Sequence, residues 1–311
     1  MKDGNWRLAI VDSGFNGGLG DVLRMYGGEE SEEDDSSLAN GNNTDSDINN
    51  TVDEHNENIS SENEKDSNED YNKKVYLEKK KKVEKIVLEK APHLIDLTKK
   101  VTITLEKKKM QDVTAAVVVV LDRSGSMNSQ YKRGDVQRAM DKLLPIALMF
   151  DDDGSLDTWT FACEAQNLSS INLDNIKDYI KTEKGGWSKW TVGGVNNEPS
   201  VMRKLIKKYK KSKQPVYIIF ISDGGIRKKS EIKQLMKKSS GYPMFWQFVG
   251  LGGSNYGILE EFDTMEGRLV DNVNFFEIDT IDSLTDEQLY DKLLNEFPLW
   301  LKEAKKKGIV K

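Results

Sequence analysis

Oxygen-bearing side chains follow two aliphatic stretches of this 311-residue chain. Asp122, Ser124 and Ser126 stand in the spacing Asp-x-Ser-x-Ser directly after the first stretch, and Asp223 follows the second. Carboxylate and hydroxyl oxygens without a neighbouring His or Cys suit hard cations, with Mg²⁺ as the first expectation and Mn²⁺ and Ca²⁺ as alternatives. The residue types therefore predict a divalent-metal site, although three fixed positions are a weak motif by themselves.

The position of these side chains relative to the predicted strands strengthens the motif. Residues 115–121 and 216–221 are continuous aliphatic runs, which are typical of strands buried on both faces. Ligands of open α/β sheets bind beyond the carboxyl ends of the strands, so two neighbouring strands would bring Asp122 and Asp223 together there. The alternative is that both aspartates cap helices and that both serines are turn residues. We favour the metal site because both aspartates end the two most aliphatic strands.

Strand and helix patterns alternate through residues 113–311. This alternation predicts a Rossmann-like α/β domain with a mostly parallel central sheet and helices on both faces. The predicted strands are 115–121, 156–162, 216–221, 244–251 and 274–278. The predicted helices are 136–149, 174–180, 198–210, 230–238, 256–264 and 286–305.

Two segments of opposite charge precede this domain. Residues 29–72 are acidic and lack a periodic apolar pattern, which predicts a disordered linker. Residues 73–112 contain thirteen lysines and three short fragments of alternating apolar and polar residues, which we interpret as a β-hairpin-like lead-in. The alternative for this basic run is binding to nucleic acid or anionic lipid, and we do not expect nucleic acid. The acidic linker is a candidate for an intramolecular contact with the basic segment or with the metal crevice.

The composition indicates a reducing compartment. Cys163 is the single cysteine of the chain, so an internal disulfide is impossible. The chain starts without the apolar core of a signal peptide, and no apolar run approaches the ~20 residues of a membrane helix. We therefore expect a cytoplasmic protein without a transmembrane segment.

The run Asp122–Ser126 before a helix resembles the metal-ion-dependent adhesion site (MIDAS) of von Willebrand factor A (vWA) domains. In that family a threonine from a second loop and an aspartate from a third complete the metal site. Asp223, in Phe220-Ile221-Ser222-Asp223-Gly224, matches the third loop. Val195 stands where the threonine is expected, so Thr191, Asn196 or Asn197 is left to supply that oxygen.

The vWA domain of the tellurite-resistance TerF-like proteins is the more specific resemblance. Residues 196–203, 216–225 and 93–100 are similar to that subgroup, and residues 1–28 resemble the C-terminal end of a TerD-like domain. The resemblance implies a metal-dependent protein-binding module in a stress-response assembly of the tellurium-resistance type. A carboxylate from a protein partner would complete the coordination of the metal.

An enzyme using the same crevice is the alternative function. A metal-dependent phosphohydrolase needs a general base beside the metal or a second acidic cluster, and the sequence offers neither. We therefore expect no catalytic residues and no enzyme activity. Trp187 and Trp190, in the Gly-rich stretch before the second loop, are the candidates for partner contact.

Overall fold

The structure is a computed structural model that describes residues 59–254 and 256–311. Side chains are described from residue 71 onward, apart from those of residues 254, 255, 263 and 264. The predicted TerD-like remnant, residues 1–28, and residues 29–58 of the predicted linker lie outside the described residues.

A six-stranded sheet forms the centre of the fold. Its strands are β1 Ala116–Asp122, β2 Leu156–Phe161, β3 Ala165–Asn167, β4 Val216–Gly224, β5 Met244–Ser254 and β6 Val273–Ile278. Their order is β3-β2-β1-β4-β5-β6, and every pair is parallel except the antiparallel pair of β2 and β3. The predicted, mostly parallel α/β sheet is confirmed, and β3 is an edge strand that the sequence patterns did not indicate.

Helices cover both faces of the sheet. They are α1 Ile59–Lys90, α2 Ile95–Lys107, α3 Asn128–Arg133, α4 Asp135–Phe150, α5 Tyr179–Thr182, α6 Glu198–Tyr209, α7 Lys229–Ser239, α8 Asp286–Leu293 and α9 Phe297–Lys306. Short 3₁₀ turns occur at Pro92–Leu94, Gly125–Met127, Glu183–Gly185, Trp187–Lys189 and Gly257–Thr264. Successive β1 residues point to opposite faces, so that Val119 belongs to one apolar core and Val120 to the other.

The C-terminal helix predicted over 286–305 is two helices. α8 ends at Leu293, and α9 begins at Phe297 with a proline in its first turn. Pro298 lacks the backbone N–H that a helix interior requires, whereas the first turn has no partner for that group. The break lets Phe297 and Trp300 pack together in the core while the chain changes direction.

The β-hairpin predicted for residues 73–112 is wrong, because this region is helical. α1 begins at Ile59 and ends at Lys90, so the prediction of disorder is also wrong for residues 59–72 of the linker, which are helical. α2 follows after a short 3₁₀ turn. The buried α2 residues Thr98, Val101, Thr102 and Leu105 follow the spacing of one helix face. Alternation over three or four residues fits a strand and a helix equally, so the short fragments could not distinguish them.

The basic lead-in packs on the vWA-like domain through both apolar and charged contacts. Val101 and Leu105 belong to the same core as the helices beside β1. Lys100 pairs with Asp286 at 2.8 Å, and Lys90 pairs with Asp174 at 2.8 Å. Part of the lysine run is therefore engaged within the protein.

Replacing Leu105 by alanine tests whether the lead-in belongs to the folded domain. Leu105 is 1% exposed, so we expect Leu105→Ala to lower the free energy of unfolding by about 2–5 kcal/mol. Ile103 lies on the same helix and is 46% exposed, so Ile103→Ala should change it by less than about 0.5 kcal/mol. Urea unfolding of both variants measures the difference, and equal stabilities would mean that α2 is not part of the cooperative unit.

None of the helices within residues 59–254 and 256–311 has the length and apolar character needed to span a bilayer.

Candidate metal site

The predicted metal residues of the first and third loops meet at the carboxyl edge of the sheet. β1 and β4 are parallel neighbours, with Leu121 opposite Ile221, so Asp122 and Asp223 leave the sheet side by side. Ser126 Oγ donates a hydrogen bond to Asp223 Oδ1 at 2.9 Å, and it lies 3.0 Å from Ser124 Oγ. Four predicted residues therefore form one group, and we call Asp122, Ser124, Ser126 and Asp223 the carboxylate–serine group.

Local hydrogen bonds hold the first loop in place. The backbone N–H of Ser124 donates to Asp122 Oδ1 at 2.7 Å, and the Tyr131 hydroxyl donates to the Asp122 carbonyl oxygen at 2.9 Å. Ser222 Oγ donates to Asp122 Oδ2 at 2.7 Å, which links the third loop to the first. Each carboxylate oxygen of Asp122 thus has one hydrogen bond and retains acceptor capacity for a cation.

Burial makes the negative charges of the two aspartates at this edge unfavourable. Asp122 is 0% exposed, and burial raises the pKa of its carboxyl to about 6, with the charge of Asp223 acting in the same direction. Burial also raises the pKa of Asp223. A divalent cation would offset both charges, and two carboxylates with two hydroxyls are a donor set that fits a hard cation.

The second loop lies against the first and third loops. The backbone N–H of Gly125 donates to the Gly194 carbonyl oxygen at 3.0 Å. The Asn196 side chain donates from Nδ2 to the Gly224 carbonyl oxygen at 2.7 Å. These two bonds bring the stretch that contains Val195 to the edge of the carboxylate–serine group.

The candidates for the missing threonine oxygen differ in their surroundings. Thr191 is exposed, and in the described part of the chain it makes no hydrogen bond to the carboxylate–serine group. Asn197 donates to the Cys163 carbonyl oxygen and accepts from Lys228, so both ends of its amide are engaged in tying loops together. Asn196 contacts the third loop through the backbone of Gly224. The Val195 side chain is 54% exposed.

Glu198, the first residue of α6, is a buried acid at this edge that the sequence analysis did not single out. It is 2% exposed, and neither of its carboxylate oxygens has a hydrogen-bond partner among the described residues. Burial raises the pKa of the Glu198 carboxyl to about 7, and the nearby charge of Asp122 raises it further. A glutamate in the first turn is ordinarily an exposed residue that favours the helix dipole, so its type and position gave no signal.

No three His, Cys, Asp or Glu side chains come together as a ready-made metal cluster in the residues that the structure describes. Glu198 does not join Asp122 and Asp223 in such a cluster, so it is not counted in the carboxylate–serine group. The hydrogen bonds of this group join side-chain oxygens of the first and third loops.

An aromatic stack flanks the first loop. Trp187 is half-buried and stacks on Tyr131, with 4.9 Å between ring centroids. The Arg123 guanidinium lies over the Trp187 ring at 4.6 Å and donates from Nε to the Trp187 carbonyl oxygen. Trp190 is buried and donates to the Glu183 carbonyl oxygen, so the expectation that it contacts a partner is wrong.

Comparison with known proteins places the same residues in a family. The family described as the vWA domain found in the TerF C terminus matches residues 114–310. The "Uncharacterized protein YcbR" of Bacillus subtilis is 46% identical over 221 residues, which is 70% of this chain and 90% of that protein.

Solved structures of other proteins have lower similarity. The ArnB paralog VWA2 from Sulfolobus acidocaldarius is 20% identical over 59% of this chain, with a TM-score of 0.39. BatB from Bacteroides thetaiotaomicron is 16% identical over 61% of this chain and 99% of its own, with a TM-score of 0.41. The mussel byssus protein PTMP1, described with a zinc-occupied MIDAS motif, is 15% identical over 62% of this chain, with a TM-score of 0.37. This chain spans 45% of VWA2 and 48% of PTMP1.

Proposed function

The chain belongs to the vWA-TerF-like family, and we propose that it is a metal-dependent protein-binding module. The observation that carries this proposal is the carboxylate–serine group, in which two loops bring four oxygen-bearing side chains to one point. An apolar sheet built only for stability has no need of two buried aspartates side by side, because their charges oppose each other.

The proposed metal is Mg²⁺, with Mn²⁺ and Ca²⁺ as alternatives. Asp122, Ser124, Ser126 and Asp223 would hold it, and Asn196 or Thr191 would be the source of any oxygen from the second loop. Mg²⁺ takes six oxygens at ~2.0–2.1 Å and keeps waters where protein ligands are missing. Such a cation supplies an electrophilic position that a carboxylate from a protein partner can fill.

The proposed setting is a cytoplasmic stress-response assembly of the tellurium-resistance type. The family match supports this setting, and the single cysteine of the chain is compatible with a reducing compartment. The acidic segment that precedes residue 59 remains a candidate intramolecular competitor for the metal, because it too offers carboxylates. A nucleic-acid partner is not part of the proposal.

A metal-dependent phosphohydrolase is the second candidate. Glu198 favours it, because an enzyme needs a titratable side chain near the metal besides the two aspartates. Glu198 is only 2% exposed, so a substrate would not reach its carboxyl directly, which favours the binding module instead. With p-nitrophenyl phosphate and Mg²⁺, we expect the protein and Asp122→Asn to give the same background rate.

Metal-dependent capture of a defined partner tests the proposed function. We expect the immobilised full chain to retain a partner protein in Mg²⁺. Addition of chelator should release that protein, and the immobilised Asp223→Asn variant should not retain it. Once that protein is identified by mass spectrometry, replacing its contacting Asp or Glu by the amide should abolish retention. The proposal would be contradicted if the same proteins remained bound with Mg²⁺, with chelator and on Asp223→Asn.

A further inference from the structure

Glu198 is a buried acid that the contacts within the protein do not explain. Among the described residues, neither of its carboxylate oxygens receives a hydrogen bond of ordinary geometry, whereas the buried Asp135 pairs with Arg133 and Arg138. A buried carboxylate without a partner costs free energy unless it is neutralised or receives hydrogen bonds. Some group outside the described contacts is therefore needed to stabilise the charged form.

The lysine whose charge acts on Glu198 is engaged elsewhere. Lys228 is close enough to lower the pKa of Glu198, but its ammonium group donates to Asn197 Oδ1 at 2.9 Å. Asn196 also lies nearby, and its side-chain amide donates to the Gly224 carbonyl oxygen. The Glu198 backbone N–H and the Asn196 amide both act to lower the pKa of the Glu198 carboxyl, but neither makes a hydrogen bond of ordinary geometry with it.

The location of Glu198 connects it to the metal site. It begins α6 three residues after Val195, where the vWA resemblance expects a threonine hydroxyl. The preceding loop is hydrogen-bonded to the first loop through Gly194 and to the third loop through Asn196. The charge of Asp122 acts in the direction that raises the pKa of Glu198, which is consistent with this placement.

We propose that Glu198 is a positioning residue of the metal site, an outer carboxylate that accepts hydrogen bonds from water on the bound cation and replaces the missing threonine. The proposal rests on the proposed function, since it needs a cation at the carboxylate–serine group. An outer role follows because, in the part of the chain that the structure describes, Glu198 does not form a three-acid cluster with Asp122 and Asp223. Mg²⁺ and Mn²⁺ carry waters wherever protein ligands are absent, and each such water has two O–H donors.

The outer carboxylate also changes what the site recognises. With Asp122 and Asp223 it brings three negative charges near one divalent cation. The site should then bind the cation in the absence of a partner. A partner carboxylate would replace a metal-bound water that donates a hydrogen bond to Glu198. Glu198 would therefore affect the affinity of the site for the partner.

A titration of the full chain with Mn²⁺ tests the proposal, with water-proton relaxation reporting the hydration of the bound ion. We expect Glu198→Gln to weaken Mn²⁺ binding about tenfold, as loss of an outer-shell partner does, and to change the relaxation of the bound ion. Glu231 is an exposed glutamate paired with Arg203, so Glu231→Gln is the matched control and should leave both quantities unchanged. The thermal midpoint of Glu198→Gln in chelator should equal or exceed that of the unmodified protein, because an uncharged side chain replaces an orphaned carboxylate.

A double-mutant cycle separates an outer ligand from a merely structural glutamate. Val195 is exposed enough to accept threonine without repacking, and Val195→Thr should restore most of the affinity lost in Glu198→Gln while adding little to the unmodified protein. If Glu198→Gln does not fold, Glu198→Asp carries the same test, because it keeps the charge but withdraws it from the site.

Several outcomes overturn the proposal. Mn²⁺ affinity of Glu198→Gln within about twofold of the unmodified protein would overturn it, and so would an equal effect of Val195→Thr in both backgrounds. Equal Mn²⁺ binding by the unmodified protein and by Asp122→Asn would instead remove the metal site itself and the proposed function with it. If Asp122→Asn loses Mn²⁺ binding and Glu198→Gln binds Mn²⁺ as the unmodified protein does, the proposed function stands and only the role of Glu198 is overturned.

Discussion

Asp122→Asn is expected to abolish tight binding of Mg²⁺ and Mn²⁺. The variant removes one of two carboxylates from an all-oxygen site, so the loss of affinity should exceed the ~10–100-fold that an outer-shell change costs. The fold should survive, because asparagine keeps an oxygen for the Ser124 N–H and the Ser222 hydroxyl can rotate to accept from the new amide. Isothermal titration with each metal measures the affinity, and thermal unfolding in chelator checks the fold.

Asp152→Asn is the matched control for this experiment. Asp152 is exposed in the turn after α4, within a short acidic run whose carboxylates could attract Ca²⁺. We expect Asp152→Asn to bind Mg²⁺ and Mn²⁺ as the unmodified protein does. The opposite pattern, with affinity lost in Asp152→Asn and retained in Asp122→Asn, would move the metal to that turn and end the MIDAS interpretation.

Gly253→Ala is expected to disrupt the third loop and to destabilise the protein. A methyl group at Gly253 would lie 1.7 Å from the Asp223 carbonyl oxygen. This is a steric clash with a backbone atom, which a change of side-chain rotamer cannot relieve. β4 and β5 shift in register here, between Ser222 and Gly224, so the close approach belongs to the bend that presents Asp223. We expect a loss of about 1–3 kcal/mol in the free energy of unfolding, together with weaker Mn²⁺ binding.

Gly241→Ala shows what an alanine does where space is open. The nearest atom to a methyl group there is a Leu269 side-chain carbon at 4.0 Å, so this variant should be neutral or stabilised by about 0.4–1 kcal/mol. Urea unfolding and Mn²⁺ titration of both variants give the comparison. If Gly253→Ala were as stable as Gly241→Ala and bound Mn²⁺ normally, the tight packing of β5 against the Asp223 backbone would have no role in presenting the site.

Strand and helix identity in the vWA-like domain could be predicted where the pattern was long and the burial extreme. The aliphatic runs of β1 and β4 have few alternatives to a doubly buried strand. The amphipathic pattern of α4 extends over sixteen residues, enough to distinguish a helical period from an alternating one. Where the informative run was only three residues, as around Tyr76 and Val87 in α1, the prediction of strands was wrong.

The sequence could identify some residues of the candidate site but not others. Asp122, Ser124, Ser126 and Asp223 could be selected from the sequence because each follows a strand that had to be buried, and parallel neighbours end at one edge. Glu198 could not, because its type and its place in the first turn of a helix are those of an exposed residue. Its burial depends on how α6 packs on the sheet beside the first and third loops.

The sequence by itself determined the alternating α/β architecture, the edge of the sheet at which Asp122, Ser124, Ser126 and Asp223 meet, and the oxygen-only character of these side chains. These follow from local period and residue type, which operate over a few neighbouring residues. Tertiary structure alone decided that the basic lead-in is helical and packed on the domain, that Asn197 ties loops together, and that Glu198 is buried at the start of α6. Each of these depends on contacts between segments far apart in the chain, whose energies no local pattern records.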